Sequence, residues 1–234
     1  MRILKIINKT LKWIVAAFLA STILSVVLLK FVPVYFTPLM FIRLAQQASE
    51  GKELKMKHQW VALDEISPYL PVAVIASEDG RYMEHHGFDF EAIQKAAERN
   101  KKHPERKLGA STISQQTAKN VFLWPGRTWV RKGFEVYFTV LIELFWSKER
   151  IIEVYLNSIE TGDGIYGAEA VAQEHFGHAA KTLTREECAL IAVTLPNPRR
   201  FSSKHPSPYI LKRQKRILRE MRHVEKMLKE NKSE

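Results

Sequence analysis

The stretch Trp13–Leu29, WIVAAFLASTILSVVLL, carries no charge over 17 residues. As a helix it would run about 26 Å, close to the hydrocarbon core of a bilayer. Lys30 follows and can snorkel, and FVPVYF prolongs the apolar character. Arg2, Lys5, Lys9 and Lys12 precede it, with no acid among them. Positive flanks stay on the cytoplasmic side, so the remaining chain is expected outside. A cleaved signal peptide is the rival reading, but the run is long for one and no clear small-x-small cleavage site follows it. The expected division is a cytoplasmic N-terminus (1–12), a transmembrane helix (13–32), a membrane-proximal connector (33–60) and a folded domain (61–234).

Charge narrows the partners. The 234 residues carry 36 Lys+Arg against 25 Asp+Glu, a formal net charge of +11. That balance suits nucleic acid, an anionic membrane surface or a phosphate-bearing substrate, and an external domain disfavours nucleic acid. Cys188, the single cysteine, excludes a disulfide framework and lies in the apolar run CALIAV, so it reads as a core residue.

From residue 61 the pattern is helical nearly throughout, with no convincing run of alternating strands and no repeat, so the domain is expected to be mostly α. Asp89 is expected to cap DFEAIQKAAERNKK, and Thr184 with Glu187 forms a capping box. KGFEVYFTVLIELFW is apolar on most sides and is expected to be a central buried helix. In the last helix Leu211, Ile217, Leu218, Met221, Val224 and Leu228 recur at helical spacing. Its positive charge suits either contact with anionic lipid or glycan, or a plain solvated face.

Four places hold polar residues that packing does not need. In ASEDGRYMEHHG, Glu78 ends an apolar helix, where partial desolvation would raise its pKa and make it a better base. His85 and His86 are adjacent, point apart, and have no evident third ligand, so a metal is not read there. In LGASTISQQTAKN, Thr112 and Gln115 fit a capping box, and unpaired N–H groups at that helix start favour an anion. Gln115 or Gln116 then shares a face with Thr112 and Lys119. In GRTWVRKGFE, Arg127, Arg131 and Lys132 precede Glu135, and Arg131 and Glu135 are spaced i, i+4 as an ion pair or as a carboxylate held by cations in a cleft. In NSIETGDGIYG, Gly162, Gly164 and Gly167 either turn the chain or let substrate approach the backbone.

Two separated glutamates with a group of cations suggest glycosyl chemistry. A glycosidase must protonate its leaving group, whereas transfer from a pyrophosphate donor expels a stable anion and needs a base plus cations. Lys119, Arg127 and Arg131 fit the second case better.

On EDGRYMEHHGFD, GASTISQQTAKN, RKGFE, KERIIEVYLN followed by GDGIYG, and LPNPRRFS, the chain resembles the peptidoglycan glycosyltransferase family, whose domain also opens bifunctional penicillin-binding proteins. The likeness runs from about residue 60 to about 205 and fits the monofunctional, membrane-anchored type of Gram-negative bacteria, with no transpeptidase activity. Tyr82 stands where the family usually has phenylalanine. The resemblance implies a lysozyme-like α fold with a large lobe, a smaller jaw and a cleft. It implies polymerisation of lipid II into β-1,4-linked glycan with inversion and release of undecaprenyl pyrophosphate. Carried over by motif, Glu78 is the catalytic base, and Lys119 and Arg127 hold the pyrophosphate. Glu135 orients cations or a metal near the leaving group, with Arg131 beside it. Ser111, Gln116 and Asn120 line the donor site. The resemblance leaves the cofactor open between none, Mg²⁺ and Mn²⁺. The implied partners are lipid II, the growing strand, inner-membrane lipid and the cell-wall synthases of division or elongation. A lytic transglycosylase is the nearest enzymatic alternative, and a non-enzymatic scaffold for cell-wall synthases the nearest of another class.

Overall fold

The computed structural model describes residues 2–105, 109–126 and 128–230, which are mostly helical. Helix α1 (Arg2–Leu29) is continuous, and its Lys5–Leu29 portion, of mean hydropathy 2.1, is long and apolar enough to cross a membrane. Its C-terminal half docks on α6 (Trp129–Phe145). The Phe18 ring lies 5.9 Å from those of Phe134 and Tyr137, and the hydroxyls of Thr22 and Tyr137 are 2.7 Å apart. Trp146 Nε1 donates to the Val26 carbonyl at 2.8 Å and Arg150 Nη2 to that of Leu29 at 2.7 Å. The Arg150 bond satisfies a carbonyl that the end of α1 leaves open, while the Val26 carbonyl also accepts the Lys30 N–H at 3.2 Å.

Helix α6 is not the central helix that its sequence suggests. One side, with Glu135, Phe138, Thr139 and Ile142, is buried, while Trp129 is 92% and Leu144 71% exposed. Apolar residues circle the helix, but only one side of it faces the core, and Val136, Val140 and Leu144 on the outer side are exposed.

The connector supplies α2 (Pro38–Ser49), which begins with proline at its first position and packs on α5 (Ile113–Phe122). Helices α3 (Tyr69–Glu78), α9 (Arg185–Thr194) and α10 (Pro208–Glu230) pack together on one side. Helices α5, α6 and α7 (Lys148–Ser158) pack on the other, and α8 (Gly167–Val171) adjoins α7. Helix α4 (Phe90–Lys102) buries no residue and starts where Asp89 Oδ1 accepts the Ala92 N–H at 2.9 Å. Both expected capping boxes form, Thr112–Gln115 and Thr184–Glu187. In α10, Ile217, Met221 and Val224 are buried as the spacing requires, but Leu211 is exposed and Ile210 takes the inner position. Ile210, Ile217, Met221 and Val224 share the tighter stripe at i, i+7, i+11 and i+14. The Cys188 thiol is buried, and burial pushes its pKa to about 12.

Strands were not legible in the sequence, yet three form a small sheet of order β1-β3-β2. Strand β1 (Lys57–His58) runs parallel to β3 (Ile165–Tyr166), which pairs antiparallel with β2 (Glu160–Gly162). Two or three residues are too few to display alternation. The glycine loop serves this sheet. Gly164 has φ +67°, and a Cβ there would stand 2.3 Å from the Lys55 carbonyl oxygen; one at Gly167, φ +81°, would stand 2.5 Å from that of Asn157. The backbone these glycines admit is the chain's own.

Candidate active site

Glu78 is the last residue of α3. Val72, Ala73, Val74 and Ile75 bury the helix before it, and the chain leaves at Asp79. The carboxylate is thereby carried to the edge of the core. Burial pushes the Glu78 pKa above the ordinary carboxylate value, against two hydrogen bonds that favour the ionised form. Gln116 Nε2 donates to Oε2 at 3.1 Å and Ser77 Oγ to Oε1 at 3.2 Å. Behind Gln116, the hydroxyl of fully buried Tyr155 donates to Gln116 Oε1 at 3.2 Å. Tyr155 thus fixes which end of the amide faces Glu78. Neither Ser77 nor Tyr155 was singled out in the sequence, since each sits among core residues and only the tertiary approach reveals its bond.

Asp79 organises the next layer. Its Oδ1 binds His85 Nε2 at 2.8 Å, and its Oδ2 accepts the Ile113 N–H at 2.9 Å. The start of α5 does favour an anion, but the anion is Asp79, not a substrate. Tyr82 is buried, and its hydroxyl donates to the Lys148 carbonyl at 2.8 Å, so the extra oxygen relative to phenylalanine has a partner.

Lys119, Asn120 and Gln116 on α5 line a cavity of about 410 Å³ together with Glu78 and Arg131. No hydrogen bond or ion pair among the described residues engages the Lys119 ammonium. Burial lowers its pKa, opposed by the Glu135 charge and reinforced by Arg131 and Lys132. Asn120 Nδ2 and Arg131 Nε are buried without a partner among the described residues. Both residues line the cavity, and with Lys119 they give it a donor-rich, cationic wall that suits an oxygen-rich anion. Ser111 lies elsewhere, in a second cavity of about 360 Å³ that also reaches Glu78. Glu78 is therefore the junction of two spaces. Arg127 falls outside the described residues.

Glu135 is buried, and its two oxygens take Arg131 Nη1 and Lys132 Nζ. It holds these two cations in place. No group of three or more His, Cys, Asp or Glu among the described residues could hold a metal ion.

The sequence model of the family described as Transglycosylase matches residues 46–222. A protein of Bacteroides thetaiotaomicron called biosynthetic peptidoglycan transglycosylase is 65% identical over 209 residues, covering 89% of this chain and 84% of its own. One of the same description from Bdellovibrio bacteriovorus is 55% identical over 210 residues, covering 88% and 84%. A third, from Xanthomonas campestris, is 46% identical over 221 residues, covering 93% and 89%. The mostly α architecture agrees with the lysozyme-like fold that such a likeness implies.

Proposed function

The chain belongs to the transglycosylase family and is a peptidoglycan transglycosylase of cell-wall biosynthesis, and on that premise we propose that it polymerises lipid II with release of undecaprenyl pyrophosphate. The growing strand is the donor. Its terminal sugar pyrophosphate lies in the cavity of Lys119, Asn120 and Arg131, and its older sugars run past Glu78 towards Ser111. Glu78 removes the proton of the acceptor's 4-hydroxyl as that oxygen attacks the anomeric carbon. The carbon–oxygen bond to pyrophosphate breaks, an α linkage becomes β, and the departing charge meets Lys119. Arg127 joins it in this reading, and Glu135 keeps Arg131 and Lys132 directed. Helix α1 anchors the domain at the inner membrane with its bulk in the periplasm, where a lipid-linked substrate is within reach.

The observation that carries this reading is the half-buried Lys119, unpaired among the described residues, beside a desolvated carboxylate. A raised Glu78 pKa alone would serve a general acid equally well, whereas a cation without a partner among the described residues calls for an anionic leaving group. The test is incubation of the full chain in detergent with labelled lipid II. Polymer and free undecaprenyl pyrophosphate are expected; cleavage of preformed glycan with no polymer would identify a lytic enzyme instead.

The hydrogen bond from Gln116 makes a further prediction. It stabilises the Glu78 carboxylate, so Gln116→Ala should move the acidic limb of the kcat/KM profile to higher pH. Tyr155→Phe frees the amide to rotate and should move the limb the same way by less. Superimposable profiles would show that Gln116 does not act through Glu78.

A further inference from the structure

A second carboxylate enters the Lys119 cavity from a place that the functional reading does not use. Glu160 is the first residue of β2, only 5% exposed, and lines the same space as Glu78 and Lys119. One of its oxygens is occupied: Arg43 donates to Oε2 from Nη2 at 3.1 Å and from Nε at 3.3 Å. The other, Oε1, is buried with no partner among the described residues. Arg43 comes from α2, the helix that follows α1, and also lines the cavity. Its Nη1 donates to Gln46 Oε1 at 2.8 Å, which fixes the guanidinium on α2. Across the sheet Glu160 is paired with Tyr166, whose hydroxyl is also buried and unpartnered.

A carboxylate oxygen left bare in a buried setting costs free energy unless something donates to it. Arg43 neutralises the charge through the other oxygen, so the vacant position suits a neutral O–H or N–H donor rather than a second cation. Sugars with acetamido groups carry both kinds of donor. We propose that Glu160, held by Arg43, contacts substrate by accepting a hydrogen bond from a hydroxyl or acetamido N–H of the incoming sugar, seating it beside Glu78. The membrane-proximal helix is then part of the saccharide site and not only a tether. This rests on the lipid II reading above.

Two assays separate the outcomes, both with the full chain in detergent. The double variant Arg43→Met/Glu160→Leu removes the bare oxygen and leaves no orphaned charge; apolar replacement of a buried ion pair is often tolerated. Its melting temperature should stay near wild type, while KM for lipid II rises about tenfold and kcat changes by less than about twofold, the loss of one uniform hydrogen bond. Glu160→Gln keeps an acceptor oxygen and Arg43, and should fall between. The second assay measures lipid II binding to Glu78→Gln with and without the double substitution, where a tenfold weaker Kd is expected. An unchanged KM and Kd in the folded double variant would overturn the proposal, as would a fall in kcat alone, which would mark a contact made only in the transition state and not a seat for the incoming sugar. Wild-type chain that binds lipid II without polymerising it would sink the functional reading, while the binding comparison would still decide Glu160. No binding by either form would overturn both.

Discussion

Glu78→Gln is expected to reduce glycan polymerisation by at least about a hundredfold, with the melting temperature unchanged or raised. The substitution preserves the shape of the side chain and leaves the amide of Gln116 an oxygen to meet. What disappears is the group that accepts the proton. The stability half of the prediction follows from the direction of the pKa. Burial raises the folded Glu78 value above that of the unfolded chain. A carboxyl of this kind stabilises the fold below its unfolded pKa and loses that contribution as pH rises through the folded value. At neutral pH the ionised side chain is held against the preference of its surroundings, and glutamine removes that cost. The wild-type pH profile adds a test of role. A base fails when protonated, so the rate should fall as pH drops through the raised value. A general acid would fail on the opposite side, as pH rises through it. An acidic limb that vanishes in Glu78→Gln, with the residual rate flat, is the expected result. A folded variant with wild-type polymerisation would take the role of base away from Glu78.

How much of this the sequence carried can be seen residue by residue. Local signals were faithful. The capping pairs Thr112–Gln115 and Thr184–Glu187, the cap at Asp89 and the apolar span of α1 each rest on neighbours a few positions apart, and all four appear in the structure. The placement of Glu78 beside Gln116 and Lys119 depended on a resemblance in ordered motifs, since 38 residues separate Glu78 from its hydrogen-bond partner. What stayed hidden was tertiary. The outward face of α6 could not be told from a buried one, because an apolar residue carries no mark of whether it meets protein or lipid. The anion at the start of α5 was foreseen in kind but not in source; Asp79 lies 34 residues upstream of the N–H it accepts. Arg43 and Glu160 are 117 residues apart, on a connector and on a strand too short to announce itself.

Lys119→Met should lower kcat/KM by about two to three orders of magnitude and leave the chain as stable as wild type or more so. The lysine is largely desolvated, its ammonium lacks a partner among the described residues, and burial lowers its pKa. A lysine whose folded value lies below its unfolded one binds its proton less readily in the fold. It therefore weakens the fold at low and neutral pH, and the penalty is relieved as pH climbs from the folded value to the unfolded one. Methionine keeps most of the apolar stem and lacks the charge, so the penalty goes with it. An ordinary surface ion pair would contribute about 0–1 kcal/mol, or roughly fivefold at most, and its removal would not raise stability. A loss of about 3–4 kcal/mol in transition-state stabilisation beside a stationary or higher melting temperature would mark a cation kept for a charge that arrives with substrate. Because that charge grows as the pyrophosphate leaves, the loss should fall on kcat as well as on KM. A folded Lys119→Met chain with wild-type kcat would place the departing charge elsewhere and remove the strongest support for transfer from a pyrophosphate donor.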